Sequence, residues 1–143
     1  MKILLITDQH FGVRNDNVYF IDHYKKFYSQ IVIPFIEKLN IKEIINLGDT
    51  FDKRRSINFM SLDAAKEMWF DPLRERDVKM HTLIGNHDIY YRNTNKVNAV
   101  QELCTAPDGV HEPFIYEEPK VVDFDGLKIL MVPWMNPENE KQI

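Results

Sequence analysis

Three apolar runs, each ending in polar side chains able to bind metal, constrain this chain more than any other feature. Ile3 to Thr7 leads into Asp8-Gln9-His10-Phe11-Gly12. Ile41 to Leu47 leads into Gly48-Asp49-Thr50-Phe51-Asp52, and Val78 to Ile84 into Gly85-Asn86-His87-Asp88. Short continuous apolar runs without polar alternation predict strands buried on both faces, the pattern of a parallel sheet.

The segments between the runs predict helices. Tyr19 to Leu39 carries Phe20, Tyr24, Phe27, Ile31 and Phe35 at helical spacing, and Pro34 is expected to kink or restart that helix. Asn58 to Arg76 predicts a second helix, with Leu62, Ala65 and Trp69 on one face and Ser56 or Asn58 as its cap. A shorter helix is expected over Lys96 to Cys104. After Pro107-Asp108-Gly109 the texture changes: Phe114 to Tyr116, Lys120 to Phe124 and Leu127 to Val132 read as β-segments, the last two joined by a turn at Asp125-Gly126. The order βαβαβα predicts a layered α/β fold with a mainly parallel sheet. In such sheets ligands gather beyond the carboxyl ends of the strands, where the three polar clusters fall.

Composition narrows the class. The 143 residues suffice for one core, and a net charge of -4 gives no bulk attraction to nucleic acid. A local basic patch or bound metal ions would still supply positive charge. The single cysteine, Cys104, permits no intrachain disulfide and fits a reducing compartment. Asp8 interrupts the first apolar run, which is too short for a signal peptide, and no run approaches the ~18 residues of a membrane span. The expectation is a cytoplasmic protein without a membrane partner.

The chemistry lies in the donor types. Carboxylate, imidazole and amide oxygen together suit manganese, magnesium, iron or zinc. Two such ions about 3.5–4 Å apart clamp a phosphate in line and activate water. Asp49, on the middle cluster, is placed to serve both. Gly48 and Gly85 are expected where a side chain would intrude on the site. Asp-x-His alone is commonly a solvated turn, and Gly-Asp-x-x-Asp alone can cap a helix. Three such clusters in order, each ending a strand, are hard to explain as turns.

Asp-x-His, Gly-Asp-x-x-Asp and Gly-Asn-His-Asp in this order resemble the opening signatures of the calcineurin-like metallophosphoesterases. Within them the three loops and Val132-Pro133-Trp134 look like nuclease subunits of the Mre11/SbcD type, in texture closest to phage recombination endonuclease subunits. The resemblance implies a metallophosphoesterase fold, central β-sheets flanked by helices, of which residues 1–143 are the amino-terminal portion. It implies that Asp8 and His10 ligate one metal, that Asp49 bridges both and that Asn86 ligates the second. The ions implied are two divalent metals, Mn2+ foremost, with Mg2+, Fe2+ or Zn2+ as alternatives. His87 would be the general acid, Asp52 would hydrogen-bond it, and Asp88 would brace its loop. The implied activity is a DNA exo- or endonuclease in repair and recombination. The implied partners are DNA, an SbcC/Rad50-like ATPase and a second copy paired through Asn58–Arg76 and Lys96–Cys104. A phage-encoded member would act in the host cytoplasm.

The sequence departs from that family in its later histidines. Members carry a lone histidine and then a Gly-x-His pair, whereas after His87 this chain has only His111, read as a surface residue. A chain of this kind is expected to be part of a larger domain. Action on a nucleotide or a phosphoprotein is an alternative, though Asp52 is followed by Lys53-Arg54-Arg55 and not by the Arg-Gly usual in protein phosphatases. A truncated, non-catalytic scaffold is another. Arg54, Arg55 and Tyr91 are candidate substrate contacts. His23, His81 and the Met68-Trp69-Phe70 run are read as structural.

Overall fold

The computed structural model describes residues 1–104 and 113–143. The strands expected first are all present: β1 (Ile3–Ile6), β2 (Glu43–Asn46) and β3 (Lys79–Leu83). They lie side by side and parallel, with Leu4 opposite Ile44 and Ile44 opposite Met80. A fourth strand, β4 (Phe114–Tyr116), joins β3, also in parallel. Parallel neighbours bring their carboxyl ends to one edge, which sets the three polar clusters together. The Pro107-Asp108-Gly109 break and His111 lie outside the described residues.

Two long helices cover one face. Helix α1 spans residues 18–39. It is α-helical over Val18–Phe27, widens into a π-turn at Tyr28–Val32 and resumes at Ile33–Leu39. Helix α2, residues 59–75, widens likewise at Lys66–Phe70 before resuming at Asp71–Glu75. Pro34 and Pro72 explain the position of both turns, because each lacks the N–H that a regular helix needs there. Thus Pro34 restarts the α-helix as expected, in the first turn after the π-turn, whose extra residue absorbs its missing N–H. The two turns meet where the rings of Tyr28 and Trp69 pack 5.3 Å apart. Asn58 caps α2, accepting the Met60 N–H at 2.8 Å. The third helix, α3 (Ala99–Leu103), is shorter than expected because it begins at its cap, Asn98.

The main core lies between these helices and the sheet, around Ile36, Ile44, Phe51, Ala65, Trp69 and Val100. Strands β5 (Lys120–Phe124) and β6 (Leu127–Met131) form an antiparallel hairpin turning at Asp125-Gly126, both at positive φ. Phe124 and Met131 of this hairpin pack with Ile45, Leu83 and Tyr116 on the opposite face of the sheet. The chain therefore has the α/β layering expected: helices, parallel sheet, hairpin.

One expectation needs correction. Among the described residues β1 is an edge strand, with Leu5 on its hairpin-side face 61% exposed, not a strand buried on both faces. The helical spacing of Phe20, Tyr24, Phe27, Ile31 and Phe35 is matched by a helix, in which Tyr28, Val32, Ile33 and Ile36 are buried, Tyr24 packs partly on the core, and Phe20, Phe27, Ile31 and Phe35 stay exposed.

Candidate metal centre

The first two loops prolong the sheet past its strands. The backbone N–H groups of Asp8, His10 and Phe11 donate to the carbonyls of Gly48, Asp49 and Thr50 at 3.1, 3.1 and 2.9 Å. Asp8, His10 and Asp49 all hold left-handed backbone, with φ of 52°, 46° and 52°. Such conformations are uncommon for residues with a Cβ and cluster at functional sites. Gly48, at φ 104°, could not carry a side chain: its Cβ would lie 2.8 Å from the Gly85 nitrogen. A Cβ on Gly85 would collide with the Asp49 carboxylate and its N–H. Both glycines thus do what the sequence implied, letting the second and third loops touch.

Asp88 fastens those loops. Its carboxylate, 0% exposed, accepts N–H groups from Asp49 at 2.8 Å, Thr50 at 2.9 Å and Gly85 at 3.0 Å. Burial pushes its carboxyl up to about 6, against the lowering effect of these donors. A buried side-chain chain lies beneath the first two loops. Gln9 donates to Tyr28 Oη at 2.7 Å, and Asn46 donates to Gln9 at 3.1 Å and to Thr50 at 3.0 Å. Burial raises the Tyr28 hydroxyl to about 12, so it remains a neutral hydrogen-bonding group.

The donor atoms converge above this support. Atoms of Asp8, His10 and Asp49 lie within 4.8 Å of one another, as do those of His10, Asp52 and His87. His10 belongs to both groups. Its Nε2 is 3.4 Å from an Asp8 oxygen and its Nδ1 is 3.3 Å from Asp52 Oδ1. The Thr7 hydroxyl, donating at 2.6 Å, is the main cause holding the Asp8 carboxyl below its ordinary range. Burial opposes that effect and His10 reinforces it.

Two features fit these residues to cations. His10 Nδ1 is buried and makes no hydrogen bond, with the Asp52 carboxylate 3.3 Å away, so the ring is set among carboxylates on both nitrogens. Asn86 presents its amide to the Asp49 carboxylate at 3.1 and 3.3 Å. With its oxygen turned that way, oxygen faces oxygen, an arrangement a cation between them would reconcile. With the amide reversed, its nitrogen donates to Asp49 and its oxygen accepts from Arg54 at 3.1 Å. The donor set of carboxylates, imidazole and amide oxygen suits a hard or borderline divalent ion.

His87 stands beside the donors with its ring edge-on to His10, centroids 4.9 Å apart. Its Nδ1 contacts the backbone carbonyl of Asp52 at 2.7 Å. A carbonyl only accepts, so Nδ1 carries the proton and Nε2 is left for other chemistry. The expected bond between Asp52 and His87 is present, but it is made by the Asp52 main-chain carbonyl, while the carboxylate lies 3.3 Å from His10 Nδ1. The Asp52 main chain orients His87, and sequence motifs carry no sign of which part of a residue makes a bond.

Of the candidate substrate residues, Arg54 meets Asn86, and Arg55 lies over the Tyr90 ring at 5.2 Å. Tyr91 is exposed and packs edge-on to Tyr90. Lys53 is 3.8 Å from Asp16. Trp134 donates its N–H to Ile84 at 2.8 Å, bringing the Val132-Pro133-Trp134 segment beside the third loop. His81 is structural, buried among Phe114, Tyr116 and Phe124, and Met68, Trp69 and Phe70 are core. His23 is exposed. Sequence reasoning missed Gln9 and Asn46. The one available signal was their polarity within or beside buried runs.

Residues 1–139 match the family described as calcineurin-like phosphoesterase. Over 147 aligned residues the chain is 35% identical to exonuclease subunit 1 of Enterobacteria phage T4, an alignment covering the whole of this chain and 41% of that protein. The chain thus spans under half the length of this curated relative. Among the described residues, no helix is long and apolar enough to cross a membrane.

Proposed function

The chain belongs to the calcineurin-like phosphoesterase family, and on that premise we propose that it is the metal-binding portion of a DNA phosphodiesterase, an exo- or endonuclease acting in recombination and repair. The observation that carries the reading is the convergence of Asp8, His10 and Asp49 within 4.8 Å, with the Asn86 amide against Asp49. The similarity to a protein named exonuclease subunit 1 supports DNA as the substrate and implies a partner subunit.

Asp8 and His10 would hold one divalent ion and Asn86 the second, with Asp49 shared between them. When bound, the ions withdraw charge from the phosphate and promote attack by water. Mn2+ is the ion proposed. His87, held through Nδ1, turns Nε2 toward the leaving oxygen and, when the ring is doubly protonated, gives it the Nε2 proton and reverts to the neutral Nδ1–H form. Asp52 steadies His10. Arg54 and Arg55 engage backbone phosphates; neither has a carboxylate within ion-pair distance among the described residues. An SbcC/Rad50-like ATPase is the proposed partner. A second copy pairs through α2, whose first residues Phe59 and Met60 are 86% and 47% exposed.

Cleavage assays with Mn2+ test the substrate class, comparing an oligodeoxynucleotide, a free nucleotide and a phosphopeptide. Metal-dependent cleavage of the oligonucleotide in preference to the other two is expected. Preference for the phosphopeptide would overturn the reading.

A further inference from the structure

A cleft of about 220 Å3 opens beside the metal loops, between residues 53–57 and α3. Phe51, Ile57, Val97 and Leu103 give it apolar walls, and Arg54, Arg55 and Tyr90 line it as well. It is smaller than the roughly 300–1,000 Å3 of sites for drug-sized ligands, and so has room for about one ring system. Two side chains tie it to the centre: Arg54 touches Asn86, and Tyr90 lies three residues beyond His87 in the same loop.

We infer that this cleft receives a single nucleobase of the DNA strand, stacked against the Arg55–Tyr90 pair, while its neighbouring phosphate lies at the metal centre. The inference rests on the proposed action on DNA and adds a base-binding subsite to it. The Arg55 guanidinium over the Tyr90 ring, 5.2 Å from its centroid, gives an aromatic surface with a positive charge. Flat bases stack on such surfaces whatever their sequence, and the charge complements the adjoining phosphate. An apolar cleft bordered by arginines suits this ligand better than a phosphopeptide, whose phosphate needs charge but whose backbone gains nothing from an aromatic platform. Tyr91, although more exposed at 51%, does not line the cleft.

The test uses single-stranded oligodeoxynucleotides with 2-aminopurine at each position in turn and a terminal fluorescein, in EDTA and again with Ca2+ in place of Mn2+, so that binding is read with the centre empty and filled. Anisotropy reports binding, and 2-aminopurine quenching reports stacking. One position is expected to be quenched on binding. Tyr90→Ala should abolish that quenching and weaken binding roughly 5- to 100-fold, Tyr90→Phe should retain both, and Arg55→Ala should weaken both. Circular dichroism of each variant checks its fold. Binding without quenching at any position, or with Tyr90→Ala equal to wild type, overturns the subsite and leaves the nuclease reading standing. Failure of the folded wild-type chain to bind any oligonucleotide overturns both. Quenching of free 2-aminopurine deoxynucleotide but of no oligonucleotide assigns the cleft to a mononucleotide and contradicts the inference.

Discussion

The buried carboxylate of Asp88 accepts the backbone N–H of Asp49 at 2.8 Å, joining the second metal loop to the third. Thr50 and Gly85 donate to the same carboxylate. Through these bonds Asp88 fixes where the loops carrying Asp49 and Asn86 stand.

Asp88→Asn keeps the volume but sets an amide N–H2 against those donors. Leaving buried donors unsatisfied costs about 1–3 kcal/mol, so thermal unfolding should fall by several degrees and Mn2+ affinity should fall with it. Unchanged unfolding and unchanged affinity would remove the bracing role.

His87 and Asp52 separate because different atoms of Asp52 face the two histidines. In a cleavage-competent protein, His87→Ala should lower turnover by about 10²–10⁴-fold with metal affinity nearly unchanged. Asp52→Asn retains the carbonyl that holds His87 Nδ1 but loses the charge 3.3 Å from His10. It should therefore weaken metal binding more than His87→Ala does. The reverse order would place the Asp52 carboxylate with His87, not with the metal.

Burial lowers the affinity of His81 for a proton, although Glu43, 2.9 Å away, opposes the shift. A base whose folded pKa is depressed favours folding above its unfolded pKa, about 6.5. That contribution is lost as pH falls below 6.5 and through the folded value. His81→Phe should flatten the acid side of a Tm–pH profile between pH 7.5 and 5. The titration of Asp88, common to both proteins, cancels in the difference. Parallel profiles would deny His81 a part in acid sensitivity.

Phe59 offers a test of self-association. Phe59→Asp puts a charge on a side chain that is already 86% exposed, so the monomer should fold unchanged. Sedimentation should show a dimer that is weakened in the variant. Identical sedimentation of both would exclude α2 as the contact.

Much of this architecture was readable because its cause is local. Three apolar runs made three parallel strands, and glycine before Asp49 and Asn86 marked where loops must touch. The edge position of β1 was not readable, since an apolar run reads alike at the edge and in the middle of a sheet. The buried face of α1 was not readable either. Phe27, Ile31 and Phe35 keep a helical period, but the π-turn at Tyr28–Val32 shifts the register and turns Tyr28, Val32 and Ile36 inward. The Asp8, His10, Asp49 and Asn86 grouping was legible from residue type and strand-end position. The support beneath it was not: the Gln9–Asn46 bond spans 37 positions, and the bond holding His87 uses a main-chain oxygen.

Mn2+ titration of the chain, of Asp49→Ala and of His87→Ala, followed by the loss of the free-ion EPR signal, tests the shared metal centre most directly. The account predicts weak but measurable binding by the wild-type chain, retained in His87→Ala and lost in Asp49→Ala. Binding by Asp49→Ala equal to wild type, or loss in His87→Ala as complete as in Asp49→Ala, would contradict it.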